Sequence, residues 1–322
     1  GKGSTMSVAL QEAMIPRRTL LAGGLSLAGC ATSREKGAEL VMGDLPAKGQ
    51  TGTSQSVMLS GADETGTHFV AVRACQYPEA GITWLWCTVA TPQGVYQFSS
   101  NKLPWQGPTL SPDDAGTANY RAQSSEADAK FVRTGTLKAP QKAELNARFT
   151  AQGQGPRLGN RARVSLVAEF EPLSGYAGLL TGRTEAFGHA KFVLNIAGKK
   201  IVFEGPSQFH EQTQTDARFV TPFVLSSLWS KDLFSTLLIV PPNGGGYVIN
   251  EGRPGAVSTP KAELTQTESK FSFTEGGVDR SILLETRFAY QIPIYGALWQ
   301  GRFVKGDMFG KTVVGMVNSW LL

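Results

Sequence analysis

The chain has 322 residues, a length typical of two domains or of one large domain. Hydrophobic residues make up 41% and charged residues only 18%, which excludes pervasive disorder because there is ample apolar material for a core. The formal charge of +5 is spread along the chain without a long run of like charges, so we predict no nucleic-acid partner.

The N-terminal segment has the composition of an export signal. Arg17 and Arg18 precede an apolar run at residues 20–28, which is too short to span a bilayer but suits a secretory signal. The twin arginine resembles a Tat signal, and residues 27–30 (LAGC) resemble a bacterial lipobox. A buried helix that opens the fold is the alternative.

These resemblances imply cleavage before Cys30 and lipidation of its sulfur. Residues 1–30 would then be the signal and lipobox segment, and residues 31–50 a polar tether. We therefore expect an exported lipoprotein on the periplasmic side of the cell envelope. Its membrane contact would be the lipid anchor, and Ala31 after the cysteine implies the outer membrane.

The first half of the chain shows the pattern of a strand meander. Alternating and β-branched segments predict strands at 68–75 and 82–89 and from residue 95, with turns at 76–81 and 91–94. The short connections indicate antiparallel pairing. Further strands are predicted at 130–137, 144–152 and 163–170. A long loop is predicted at 101–130, which is rich in Pro, Gly, Asp and Ser.

The second half repeats this rhythm. A glycine-rich composition shift at 172–182 predicts a boundary between domains at 51–176 and 177–322. The predicted strands lie at 183–196, 201–204, 233–240, 247–250, 270–273, 281–288 and 312–317. Turns are predicted at the glycine run 244–246 and, as one alternative, at 290–295. Many short strands between turn signals indicate an all-β barrel or sandwich.

Several kinds of site are missing from the sequence. It contains no P-loop, no dinucleotide-binding glycine motif, no serine-hydrolase elbow and no metalloprotease helix motif, so we predict no nucleotide or flavin cofactor. There is no CxxC motif or Cys/His cluster with metal-ligand spacing, so we predict no metal. Cys75 and Cys87 lie in neighbouring predicted strands, where they would either pair in an oxidising compartment or remain buried free thiols.

Histidine is rare in the chain, with three in total: His68, His189 and His210. His210 lies with Glu211 and Asp216 in the polar stretch 205–218, just after a predicted strand. An imidazole beside a carboxylate suits proton transfer to an apolar ligand, whereas a solvated loop is the alternative. For His68 and His189, a position at the surface or in the packed core is the alternative to a role in a functional site.

Arg183 and Glu185 share one face of a predicted strand. They form either a surface ion pair or a buried acid poised by desolvation. Large aromatic residues are candidate walls of a ligand pocket, with ordinary core packing as the alternative. They are Trp84, Trp86, Trp105, Trp229, Tyr290, Tyr295 and Trp299, and Arg183 and His189 join them as candidate ligand contacts.

Short motifs carry a resemblance to a known family. They are GRTEAFG at 182–188, IAGK at 196–199, FEG at 203–205 with His210, the segment 68–98 and the closing segment 297–320. This pattern resembles the tandem-lipocalin proteins, which include carotenoid 1,2-hydratases (hydroxyneurosporene synthases), AttH-like proteins and fungal lipocalin-like Diels–Alderases. The resemblance implies two side-by-side antiparallel lipocalin-like β-barrels with an apolar ligand at or near their interface.

The same resemblance implies hydration, dehydration or cyclisation of isoprenoids, polyenes or polyketides without a cofactor. Many members carry Asp-His followed by a polar residue and Trp-Gly where this chain has Phe209-His210-Glu211-Gln212. A proton for such chemistry must therefore come from Glu211, Asp216 or Glu185.

Three hypotheses follow. In the first, a neutral carboxylic acid protonates an alkene, aromatic faces stabilise the carbocation and His210 orients or relays the proton. In the second, the chain is a non-catalytic carrier lipoprotein for a lipid or pigment. In the third, it is a component of cell-envelope assembly. The first two require an apolar cavity large enough for a guest molecule.

Overall fold

The computed structural model describes residues 53–107, 116–154, 159–174, 179–180, 182–294 and 296–320. The predicted signal segment, Cys30, the tether and Tyr295 lie outside the described residues. Within the described ranges the chain forms eighteen β-strands and one 3-10 turn at Pro78–Ala80, which confirms the all-β prediction. The described part contains no helix with the length and apolar character needed to cross a membrane.

The first sheet contains ten antiparallel strands. They are β1 (Ser54–Ala62), β2 (Phe69–Tyr77), β3 (Ile82–Thr91), β4 (Gly94–Pro104), β5 (Thr117–Gln123), β6 (Ala127–Thr136), β7 (Ala139–Gln154), β8 (Arg161–Ser174), β9 (Arg183–Ile196) and β10 (Lys199–Gln214). Their order is β4-β3-β2-β1-β10-β9-β8-β7-β6-β5. Strand β4 also pairs with β7, with Tyr96 opposite Gly153. The strands β4-β3-β2-β1-β10-β9-β8-β7 therefore form a closed ring, which is the first barrel.

The second sheet is a closed antiparallel barrel in which sequence neighbours pair. It comprises β11 (Phe223–Trp229), β12 (Leu233–Val240), β13 (Asn243–Asn250), β14 (Arg253–Leu264), β15 (Glu268–Glu275), β16 (Val278–Ile294), β17 (Ala297–Met308) and β18 (Lys311–Trp320). Strand β18 pairs with β11 and completes the ring. The architecture is therefore the pair of lipocalin-like barrels that the sequence indicated.

The change from one sheet to the other comes later than the boundary predicted after residue 176. Strand β9 pairs with β8, and β10 pairs with β1, so both belong to the first barrel. The sheets change between Gln214 and Phe223. The composition shift at 172–182 marks the connection between β8 and β9 of one barrel, because a glycine-rich turn within a sheet and one between domains have similar compositions.

Three local predictions were wrong. Much of the predicted loop at 101–130 is strand: β4 continues to Pro104, and β5 and the start of β6 follow. Alternate β5 residues such as Ala118 and Ala122 are buried, but their small side chains give only a weak apolar alternation. The glycine run 244–246 lies inside β13, where a Cβ on Gly246 would lie 2.2 Å from the Thr236 carbonyl oxygen. Residues 290–294 belong to β16.

Both barrel interiors are filled by side chains. The first contains residues such as Val57, Leu85, Phe131 and Phe192, and the second contains residues such as Leu228, Phe271 and Val304. Cys87 lies in the first interior, and burial raises its pKa, whereas Cys75 faces the other side of the sheet. The two thiols are free because they lie on opposite sheet faces.

Candidate functional site

A third apolar cluster lies between the barrels. It is built from outward-facing side chains of both sheets, and we call it the seam. Phe69 of β2 stacks on Phe303 of β17 with ring centroids 4.9 Å apart, and Phe187 of β9 stacks on Phe234 of β12 at 5.1 Å. Aromatic contacts of this kind, together with the buried area, fix the two barrels against each other.

The seam contains a cavity of about 480 Å³, which we call the seam cavity. Trp86 lines it from the first barrel, and Tyr290, Trp299 and Met316 line it from the second. Residues 216–221 of the connection between the barrels complete the lining. The volume lies within the range of small-molecule sites. The lining is mostly apolar by area, although polar side chains such as Thr88, Gln212 and Asn318 also contribute to it.

His210 reaches this cavity because of strand alternation in β10. Phe209 points into the first barrel interior, so its neighbour His210 points to the seam, where it is buried and lines the cavity. Nη2 of Arg183 lies 3.4 Å from Nδ1 of His210. A guanidinium can only donate, so Nδ1 accepts and the proton of the neutral ring is on Nε2.

The surroundings of His210 favour this neutral form. Burial lowers the pKa of His210 well below its usual range, and the positive charges of Arg183, Arg73 and Arg218 lower it further. The imidazole therefore presents a neutral ring to the cavity at neutral pH.

Glu185 lies behind the cavity wall in a hydrogen-bond network. Its Oε1 accepts from Arg183 Nε at 2.9 Å, from Arg183 Nη2 at 2.7 Å and from Gln208 Nε2 at 3.0 Å. The Tyr247 hydroxyl donates to Oε2. Glu185 is fully buried and does not line the cavity; burial and the Glu185 carboxylate raise the pKa of Tyr247.

The network continues into the second barrel and so links the two domains. Ser227 donates to Gln208 Oε1 at 3.0 Å and accepts from Trp229 Nε1 at 2.7 Å. Arg183 also donates from Nη1 to Gln212 Oε1 at 3.0 Å. The network fixes the Arg183 guanidinium beside His210.

Two further arginines, Arg73 and Arg218, line the cavity, and neither was predicted as a site residue. The guanidinium of Arg73 lies over the Trp86 ring, 4.8 Å from its centroid. Arg218 donates from Nε to Ser54 Oγ at 2.7 Å and from Nη2 to the Gln212 carbonyl at 3.0 Å. The available signal was Arg73 itself, a charge in the middle of the otherwise apolar or uncharged strand FVAVRACQY.

The other predicted site residues fall into three groups. Glu211 is on the face of β10 opposite His210, inside the first barrel, where Tyr120 donates to its Oε1 at 2.8 Å and Arg133 to its Oε2; it does not reach the cavity. Asp216 is exposed at the cavity rim. His189 is half-buried away from the cavity, and Trp84 and Trp229 lie in the seam cluster behind its lining.

The comparisons with known proteins give structural neighbours and nothing more. No family model and no curated protein matches the chain. Among solved structures, a protein from Nitrosomonas europaea with the provisional name AttH is 10% identical with a TM-score of 0.48, over 89% of this chain and 98% of that one. Kievitone hydratase from Nectria haematococca is 10% identical with a TM-score of 0.41, over 84% and 89% of the two chains.

The first neighbour carries the name of one group to which the sequence motifs pointed. The fold itself rests on the strand topology given above. In the part of the chain that the structure describes, no three His, Cys, Asp or Glu side chains cluster as metal ligands would.

Proposed function

We propose that the chain is a cofactor-independent enzyme of the hydratase, dehydratase or cyclase type. Its substrate is a hydrophobic isoprenoid, polyene or polyketide-like molecule bound in the seam cavity. The observation that carries the proposal is the position of a neutral, buried imidazole and three guanidinium groups on a cavity whose lining area is mostly apolar. Such groups are costly to bury, and perturbed titratable groups of this kind concentrate at functional sites.

The charge of the wall favours an anionic intermediate over a carbocation. Glu185 accepts four hydrogen bonds, two of them from Arg183, and it does not line the cavity, so it is not placed to protonate a ligand there. A carbocation near three guanidinium groups is electrostatically disfavoured. An oxyanion, such as the enolate of a conjugated ketone, would be stabilised by the same cations and by the Nε2–H of His210.

This chemistry gives His210 and Asp216 distinct roles. Water would add to the carbon β to the carbonyl, its electron pair displacing the π electrons onto the carbonyl oxygen. His210 would donate a hydrogen bond to that oxygen, and Asp216, the one carboxylate among the described lining residues, would take the proton of the entering water. Protonation of the α-carbon completes hydration, and the reverse sequence is dehydration.

The test uses two apolar isoprenoids, β-ionone, which has a conjugated ketone, and β-myrcene, which has only alkenes. In heavy-oxygen water, mass spectrometry should find labelled hydrate from β-ionone with the wild type and no hydrate from β-myrcene. His210→Gln should lose the activity, whereas the matched control His189→Gln should keep it. Equal turnover by His210→Gln and the wild type would overturn the assignment.

A carrier function is the second candidate, because most of the polar groups near the cavity are bonded to one another. Arg183, Glu185, Gln208 and Tyr247 satisfy each other, which is what a binding site of fixed shape requires. A carrier would release one unmodified ligand on extraction and show no turnover of β-ionone in either the wild type or the His210 variant.

We further propose that the protein is an exported lipoprotein held on the periplasmic side of the outer membrane through Cys30. The support is the sequence of residues 17–30, which precede the described residues. Labelling of growing cells with an alkyne fatty acid should mark the wild type and not Cys30→Ala. Equal labelling of both would contradict the proposal.

A further inference from the structure

The seam cavity contains more positive charge than its own acids neutralise. Arg183 pairs with Glu185 at 2.7 Å. Within the described part of the chain, neither Arg73 nor Arg218 forms an ion pair with a carboxylate. Both are more than nine-tenths buried, with 8% and 7% of their surfaces exposed, so water cannot fully solvate them.

Arg73 has hydrogen-bonding capacity left for a guest. Its Nη1 is buried, and no described group accepts a hydrogen bond from it. Its guanidinium lies over the Trp86 ring, and its Cζ is also 5.9 Å from the centroid of the Phe219 ring. These contacts fix the orientation of the guanidinium beside the cavity. Buried donors without partners are uncommon in native proteins, and a catalytic role or a bound ion is among the recognised reasons for them.

Arg218 supplies a second cation held in place by its neighbours. Its Nε and Nη2 are bonded to Ser54 and to the Gln212 carbonyl, and it adds to the charge around Arg73. Burial lowers the pKa of Arg73, and the charge of Arg218 lowers it further. Both cations line the same cavity, and neither is paired with a carboxylate of the described chain.

We infer that the ligand of the seam cavity is an amphipathic acid whose carboxylate binds Arg73 and Arg218 while its apolar body contacts Trp86, Tyr290 and Trp299. A carboxylate can accept a hydrogen bond from Nη1 of Arg73 and neutralise the charges of Arg73 and Arg218. An apolar molecule can do neither. This inference rests on the seam cavity being the ligand site, as in the proposed function, and holds for an enzyme or a carrier.

The test compares cis-parinaric acid, a fluorescent polyene fatty acid, with its methyl ester, which has the same body without the charge. We expect the wild type to bind the acid more tightly by about tenfold or more, because hydrogen bonds to charged groups are stronger than neutral ones. Arg73→Gln should lose this preference while it still binds the ester, and Arg73→Lys should retain part of it. Binding of the ester shows that each variant is folded.

Equal affinity of the wild type for acid and ester would overturn the inference and leave the proposed function intact. The same holds if Arg73→Gln keeps the full preference. Failure of the wild type to bind either probe would refute the seam cavity as the ligand site, and the proposed function would fall with it.

Discussion

At the scale of single residues, the seam cavity depends on which face of its strand each side chain occupies. His210 and Glu211 are adjacent in β10, yet one lines the cavity and the other lies in the first barrel interior with Tyr120 and Arg133. Both were predicted as site residues because residues 205–218 were interpreted as a polar segment after a strand. In a loop both can face a ligand, but in a strand only one can.

The lowered pKa of His210 predicts a pH-dependent stability. The unfolded chain takes up a proton below the ordinary pKa of 6.5, whereas the folded chain resists protonation until a much lower pH. The free energy of unfolding should therefore fall as the pH decreases below 6.5, by up to about 1.4 kcal/mol per pH unit from this group. Urea unfolding from about pH 8 to about pH 5 measures it.

The comparison that isolates this contribution is His210→Gln. Its stability should decline less steeply over the acidic part of the range than that of the wild type, since the glutamine cannot take up the proton. Parallel pH profiles for the two proteins would show that His210 is not held in its neutral form.

Glu185 should be a major contributor to stability through Arg183. In Glu185→Gln the Arg183 guanidinium stays buried without its counter-ion, which costs about 3–5 kcal/mol of unfolding free energy. The control is Glu285→Gln, whose partner Arg287 is 3.5 Å away in an exposed pair, and a change within about 0.5 kcal/mol is expected there. Similar losses in the two variants would contradict the buried role of Glu185.

At the scale of elements, the cavity wall depends on strands that approach closely enough to need glycine. Gly301 of β17 lies opposite Tyr290 of β16, and a Cβ at this position would lie 2.2 Å from the Tyr290 ring. Tyr290 lines the cavity, so the space above Gly301 sets where the tyrosine ring stands. The motif WQG at 299–301 thus provides both a wall residue and the room for its neighbour.

Gly301→Ala should push Tyr290 out of place and change the cavity. We expect a loss of about 1–3 kcal/mol in unfolding free energy from overpacking, with weaker binding of methyl parinarate. Gly255→Ala is the matched control, because its nearest neighbour is the flexible end of the Glu275 side chain, 2.8 Å away and remote from the cavity. Unchanged ester affinity in Gly301→Ala would show that Tyr290 does not shape the site.

At the scale of the whole molecule, the ligand space is formed between two closed sheets and not within either. Period-two alternation and turn residues predicted the all-β class and most strands, since these signals are local. Strand β5 was missed because its buried residues are mainly alanines, and β9 and β10 were assigned to the wrong barrel because pairing is a long-range property. No local pattern indicates which outward faces meet.

The same limit explains the mixed outcome for the candidate site. Arg183 and Glu185 were expected as a pair, and the structure places them as a buried one. Trp86, Tyr290 and Trp299 line the cavity, whereas Trp84 and Trp229 are packed behind it. The aromatic residues of the seam cannot be told apart in the sequence. Only the packing of the two barrels determines which of them line the cavity and which are buried behind its lining.

The location of a bound acid tests the central claim most directly. Crystals grown with 12-bromododecanoic acid would locate the bromine by its anomalous scattering. We predict the carboxylate at Arg73 and a bromine peak elsewhere in the seam cavity, with the alkyl chain passing Trp86 and Trp299. A bromine peak inside either barrel, or no ordered acid in the seam, would contradict the account.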